Sequence, residues 1–172
     1  TRDFPVEQYW RDNRLNMIHE GTHGIQAADL LGRKVRMEGG KGMQLLAARM
    51  QATAQRASVV PQLQAHGDAL LQALADVGKA TQAAWANGDP TEALANAVPY
   101  MQAFGHTVLA WIWLDVVVSI YSTDDAKTIA KNDGRYAATQ FFFRYELPKI
   151  GAWLAVVESR DMTCAQIEED AF

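Results

Sequence analysis

The chain is predicted to be all-α: a four-helix bundle of long helices preceded by two further helices. Two observations in the sequence lead there. Apolar residues recur at three- and four-residue spacing through most of residues 43–157, which gathers them on one face of a helix. The stretches that interrupt this spacing, MEGGK at 37–41 and NGDP at 87–90, carry the glycine and proline that stop helices. Strand-like alternation is scarce, so nothing competes with the helical reading.

In chain order, Val6, Trp10 and Met17 line one face of a first helix that ends near Glu20. Gly21 closes it and Thr22 N-caps a second, its hydroxyl meeting an orphan backbone N–H. Ile25, Ala28, Leu31 and Val35 give that second helix its apolar face. The glycine pair in MEGGK then marks a domain boundary, 1–40 against 41–172.

Four long helices are expected beyond it. Met43, Leu46, Met50 and Ala57 stripe the first, with Arg49 and Arg56 off the stripe. Pro61 suits the first turn of the second, where its missing N–H is not needed. In that helix Leu63, Leu70, Val77 and Ala84 recur every seven residues, with Leu74 between them. The third runs from about Thr91 to Tyr121 and is apolar nearly all round between Val108 and Val118, Asp115 excepted. That apolar run falls short of the roughly 20 residues a membrane span needs, so a central bundle helix and no membrane span are expected. The fourth runs from Asp125 to about Ser159, with Ile129, Tyr136, Phe143, Leu147, Ile150, Leu154 and Val157 in one register. Asn132-Asp133-Gly134 and Pro148 interrupt it and read as bends. This register and the apolar third helix together leave more greasy surface than a small bundle covers, so self-association as a dimer is expected.

Composition narrows the class. Apolar residues make up 49% and charged residues 21% of the 172, as in ordinary globular proteins. Sixteen basic residues against twenty acidic ones give −4, which leaves no footprint for nucleic acid. The single Cys164 excludes an internal disulfide, reads as an inert thiol near the tail, and suits a reducing, cytoplasmic location. The polar start at 1–5 carries no signal peptide, and the missing initiator Met reads as a cut chain.

Chemistry concentrates between Tyr9 and Val35. His19-Glu20-Gly21-Thr22-His23 fits the H-E-x-x-H pattern of zinc proteases, which requires one continuous helix through both histidines. Gly21, Thr22 and Gly24 disfavour that helix, since glycine costs about 1 kcal/mol in a helix interior. The third-ligand pattern would need Gly at position 26 and His at 29, where this chain has Gln26 and Asp29. Glu38 is a carboxylate without supporting residues. No metal is expected.

The same stretch carries Arg11-Asp12, Glu20-Gly21-Thr22, Ile25-Gln26 and Gly32-Arg33-Lys34. Over about 25 residues, from Tyr9 to Arg33, it resembles the end of the catalytic domain of the acyl-CoA dehydrogenases. Those FAD enzymes introduce a double bond between the α and β carbons of an acyl-CoA. The likeness is to long members with an appended helical domain, such as the 3-methylmercaptopropionyl-CoA dehydrogenases. The resemblance implies Glu20 as the base that removes the α proton, its backbone N–H helping to polarise the thioester carbonyl. It implies Gly21 as the residue that lets the acyl thioester approach closely, and Thr22 as a contact to FAD phosphate or ribose. A carboxylate serves as such a base where a dry site raises its pKa toward neutrality. It also implies electron-transferring flavoprotein as acceptor and a homo-oligomer. Two positions depart from the pattern: His19 stands where an aromatic is usual, and Gly24 where many members have a Gln on the cofactor. The family's main FAD and acyl-CoA contacts lie in domains outside this stretch, so the isolated chain is expected to be inactive and free of flavin. The rival is a helical docking module with no chemistry of its own.

Elsewhere the residues read as structural. Phe141, Phe142, Phe143, Trp111 and Trp113 are expected in core or interface. Asp115 should pair with a base such as Lys127 or Arg135, and His106 should be a core or surface histidine. Arg33, Lys34, Arg36 and Lys41 should form a solvated helix end.

Overall fold

The computed structural model describes residues 6–15, 22–121 and 133–171. Among them there is no strand. Helix α1 is Val6–Asn13, with none of its residues buried. Helix α2, His23–Asp29, runs into a π-helical turn, Leu30–Lys34. Helix α3 is Met37–Ser58, α4 Gln64–Ala84, α5 the short Pro90–Leu94, and α6 Ala97–Tyr121. Helix α7, Gly134–Phe141, passes through a π turn (Phe142–Glu146) and a 3₁₀ turn (Leu147–Lys149) into α8, Ile150–Ser159.

The bundle closes as a ring. Helix α3 packs on α4, α4 on α8, α8 on α6 and α6 on α3, with α4 and α6 meeting across the diagonal. The seven-residue repeat of α4 is its floor: Leu63, Leu70, Val77 and Ala84 are all buried. Where α3 and α4 cross, Gly67 lets the backbones approach. A Cβ there would sit 3.1 Å from the Ala54 carbonyl oxygen and 3.4 Å from the Ala57 methyl. Of the fourth-helix register, Phe143, Leu147, Ile150, Leu154 and Val157 are buried inside the bundle and Tyr136 is half-buried. Each large aliphatic side chain so buried contributes about 1.5–3 kcal/mol.

The structure revises several expectations, each for a local reason. The second helix does not use Ile25, which is 70% exposed; its buried face is Ala27, Leu31 and Val35. The π turn accommodates one extra residue and rotates the face, an irregularity no propensity encodes. Thr22 precedes α2 without a capping bond from its hydroxyl, and Gly24 is accommodated in the first turn. Pro61 lies in the turn before α4, whose first residue is Gln64. The third helix is two: Asp89 N-caps α5, accepting the Thr91 N–H at 2.9 Å with Pro90 behind it, and α6 begins only at Ala97. The fourth helix does not run through Asp133. That residue is extended (φ −72°, ψ 112°) and accepts the Arg135 N–H at 2.8 Å, so α7 starts at Gly134. At Pro148 the chain bends without breaking, the π and 3₁₀ turns absorbing the missing N–H. Ile129 and Asp125 lie outside the described residues.

Helix α6 is the centre. Tyr100, Ala103, Ala110, Leu114 and Val117 are fully buried, and α2, α3, α4, α7 and α8 all rest on it. Its stretch Ala97–Ile120 is long and apolar enough to cross a membrane by length and composition alone, longer than the run first picked out. Leu109, Ile112 and Val116 remain exposed along one side.

At 37–41 the chain turns rather than continuing as one helix. Glu38, Gly39 and Gly40 all have positive φ (51°, 66° and 83°), a conformation natural to the two glycines and unusual for the glutamate. Across that turn Ala27, Leu31 and Val35 lie in the same buried cluster as Met50, Leu70 and Leu114.

Candidate functional site

Of the three site residues read from the sequence, Glu20 and Gly21 lie outside the described residues, as does His19. Thr22 is described: half-buried, φ −95° and ψ 1°, with its carbonyl accepting the Gln26 N–H at 2.8 Å to start α2. His23, Gly24, Ile25 and Gln26 follow on exposed positions, while Ala27 points into the bundle. Helix α2 thus begins on exposed positions and is first buried at Ala27, five positions after Thr22.

The junction of α2 with the bundle is specific. In the π turn the Val35 N–H reaches back to the Leu30 carbonyl at 3.0 Å, and the Arg36 N–H turns to Arg33 at 3.2 Å. In an α-helix Val35 would serve the Leu31 carbonyl. Here the Trp85 indole N–H donates to that carbonyl instead, at 3.2 Å. The Arg36 guanidinium lies 3.8 Å from the centre of the same indole ring, a cation–π contact. The Leu94 methyls stand 3.4 and 3.6 Å from where a Gly32 Cβ would be. Arg33, Lys34, Arg36 and Lys41 are all exposed, as a solvated helix end requires, and Arg36 lies over a ring as well. Arg33 pairs with Asp29 at 2.6 Å, which raises the arginine pKa and lowers that of the aspartate, and Lys41 lies 3.6 Å from Glu38.

Could these residues serve a flavin dinucleotide? Thr22 is compatible with one hydroxyl contact. A dinucleotide needs several more donors, and α2 offers exposed His23, Ile25 and Gln26 beside it. The described residues do not by themselves make such a site. Among the described residues no three of His, Cys, Asp and Glu gather as a metal site.

Three polar clusters sit in the bundle, and the sequence foresaw none of their partners. Asp115 meets Arg56 and the Thr53 hydroxyl of α3; Arg135 pairs with Asp133 at 2.7 Å instead, and Lys127 lies outside the described residues. His106 has Nδ1 3.1 Å from the Gln102 carbonyl and Nε2 3.5 Å from Glu146, with its ring edge-on to Trp153. Glu146 is held below the usual carboxylate range by the Lys149 ammonium first, with His106 adding to the effect. His66 stands edge-on to Phe143 at 4.9 Å; its Nδ1 is buried without a hydrogen bond. Burial pushes its pKa down and the Arg144 charge adds to that, with the Gln62 backbone offsetting part. Phe142 and Phe143 are half-buried and buried, and Phe141 is exposed and stacked on Tyr145. Trp111 donates its indole N–H to Thr53 at 2.9 Å. None of these clusters was marked by spacing, because each joins helices far apart in the chain.

Comparison with known proteins adds what the geometry leaves open. The family model described as acetyl-CoA dehydrogenase C-terminal like matches residues 46–168. The chain belongs to this family. As a member of the acyl-CoA dehydrogenase C-terminal family it also aligns with two curated relatives. One is the broad-specificity linear acyl-CoA dehydrogenase FadE5 of Mycobacterium tuberculosis, 25% identical over 99% of this chain and 30% of that protein. The other is the 3-methylmercaptopropionyl-CoA dehydrogenase of Ruegeria pomeroyi, 35% identical over 62% of this chain and 18% of that protein. The chain thus spans less than a third of the relatives it matches. The match to the family model runs from within α3 past the end of α8, and the alignment with the first relative extends over nearly the whole chain.

Proposed function

We propose that the chain is the C-terminal part of a flavin-dependent acyl-CoA dehydrogenase, with Glu20 as the base that takes the α proton of the acyl thioester. One observation carries the reading. Glu20-Gly21-Thr22, which resembles the catalytic end of the acyl-CoA dehydrogenases, stands directly before a helix that packs through Ala27 on a bundle of the family's C-terminal type. On this reading residues 1–40 are the tail of the catalytic domain and 41–172 the appended bundle.

Each residue has a task that physical chemistry sets. A carboxylate at position 20 removes a carbon-bound proton only if desolvation lifts its pKa toward neutrality, and the upstream domains would supply the dry surroundings. Gly21, without a Cβ, lets the thioester come against the backbone, and the Glu20 N–H donates to its carbonyl oxygen as negative charge develops there. Thr22 offers a hydroxyl to the phosphate or ribose of FAD. When bound, that cofactor would supply the hydride acceptor. Acyl-CoA as substrate, electron-transferring flavoprotein as acceptor, a homo-oligomeric assembly and a cytoplasmic location complete the proposal. The exposed Leu109, Ile112 and Val116 on α6 favour a covering surface in the whole protein. The chain by itself is proposed to be inactive, because one threonine does not hold a dinucleotide.

The test uses the longer protein that contains this chain. Purified, it should carry flavin, and a linear saturated acyl-CoA should bleach that flavin under anaerobic conditions. Thr22→Ala should lower flavin content while the flavin that remains still bleaches. A purified protein free of flavin, or a flavin indifferent to acyl-CoA, would remove the proposal.

A further inference from the structure

We propose that the groove between α4 and the bent run from α7 into α8 binds an unbranched aliphatic carboxylate, its headgroup at Arg144. Two cavities, of about 250 and 270 Å³, abut there and share Ala69 and Phe143 in their walls. Together they reach the size of a small-molecule site, about 300–1,000 Å³. They follow α4 from Ala65 to Asp76, roughly 16 Å at 1.5 Å per residue. The site is separate from the α2 junction, because α2 rests on α6 and on Trp85, just past the end of α4.

The space has a local cause. Helix α4 carries alanine at 65, 69 and 73, a four-residue spacing that puts nothing longer than a methyl on one face. The facing run passes from π to 3₁₀ winding between Phe142 and Lys149, then opens α8 with Ile150 and Gly151. A Cβ on Gly151 would meet nothing within 4 Å. One wall is thus short and the other bent away.

Charge sets the orientation. Arg144 and His66 stand at the Ala65 end. Glu146, the acid nearest Arg144 in sequence, is engaged by Lys149 and His106, so the guanidinium has no acidic partner among the described residues. His66 lies edge-on to Phe143, and burial disfavours its charged form, which leaves Arg144 as the cation. Between the ends the walls are Ala69, Ala73, Phe143, Leu147 and Ile150, and at the far end Gln72 donates to Asp76 at 2.9 Å. A guanidinium takes a carboxylate in a bidentate pair. The middle of the groove offers burial and no hydrogen bond. A peptide would strand its backbone there, whereas an alkyl chain has nothing to strand.

The test uses the 172-residue chain, whose bundle has its own buried core. Octanoate is the probe and 1-octanol its uncharged counterpart. Isothermal titration should give one octanoate per chain with a dissociation constant below about 1 mM, and saturation should shift the His66 and Phe143 ring resonances. Arg144→Gln should weaken octanoate about tenfold and leave octanol within about twofold of the parent. Gly151→Leu fills the groove and should weaken both ligands at least about tenfold. Arg49→Gln, exposed on α3, should change neither. Octanoate binding that ignores Arg144→Gln and Gly151→Leu overturns the proposal, as partition onto exposed apolar surface; so does the absence of binding at about 1 mM. Equal weakening of octanol by Arg144→Gln also overturns it, as a loss of shape and not of a headgroup partner. Should Gly151→Leu fail to fold, Ala69→Leu, which narrows both cavities, takes its place with the same outcomes.

Discussion

The Thr53 hydroxyl on α3 donates to the Asp115 carboxylate on α6 at 2.9 Å. Thr53 is buried, and the same oxygen accepts the Trp111 indole N–H at 2.9 Å, while Arg56 closes on Asp115 from the solvent side. A charged residue in the long apolar central helix is thus tied to the neighbouring helix through a buried hydroxyl.

Thr53→Val, nearly the same shape, should lower stability by about 1–3 kcal/mol, because it strands the Trp111 indole N–H and leaves Asp115 Oδ1 with Arg56 alone. Asp115→Asn should cost less, about 0–1 kcal/mol, since the Arg56 pair is nearly half exposed on both sides and screened by water. Urea unfolding midpoints test the order. A Thr53→Val midpoint equal to the parent's would show that the hydroxyl is dispensable.

His66 gives a pH dependence of stability. Burial depresses its pKa in the folded chain below the ordinary 6.5 of the unfolded one. The unfolded state therefore takes up the proton first, and the stability present above pH 6.5 is lost as pH falls from there through the folded pKa. His66→Leu should flatten the slope of stability between about pH 7 and pH 5. A variant with the parent's slope would assign that dependence to other groups.

Asp133 acts in a lower window. Its contacts to the Arg135 side chain and N–H hold its pKa at about 2, against an ordinary 3.8. Its stabilisation of the α7 start is present above pH 3.8 and disappears as pH falls toward 2. Asp133→Asn keeps a capping acceptor without the charge. The gap in thermal midpoint between parent and variant should close as pH drops through that window; a gap constant with pH would mean that the charge plays no part.

The fold was legible where the chain obeys one period and opaque where two helices had to find each other. Leu63, Leu70, Val77 and Ala84 announce α4, and Asn87 to Pro90 its end, because spacing and turn chemistry are local. The π turn at Leu30–Lys34 has no local signature: Ile25 looks as apolar as Leu31, and only packing against α6 decides which is buried. Asp115 could be seen to need a cation, but Arg56 is brought to it by the α3–α6 contact alone. The candidate site was legible as a motif, through Glu20-Gly21-Thr22. The bond from Trp85 to the Leu31 carbonyl was not, since an indole after a helix end has many possible partners.

The account stands most directly on Glu20→Gln in the longer, flavin-loaded protein. Glutamine keeps the size and polarity of the side chain and cannot accept a proton from carbon. Flavin content and acyl-CoA affinity should stay at parent values, while the rate of anaerobic flavin bleaching by a linear saturated acyl-CoA should fall by about 10²–10⁴. Bleaching at the parent's rate would contradict it, leaving Glu20-Gly21-Thr22 as a junction between two helices.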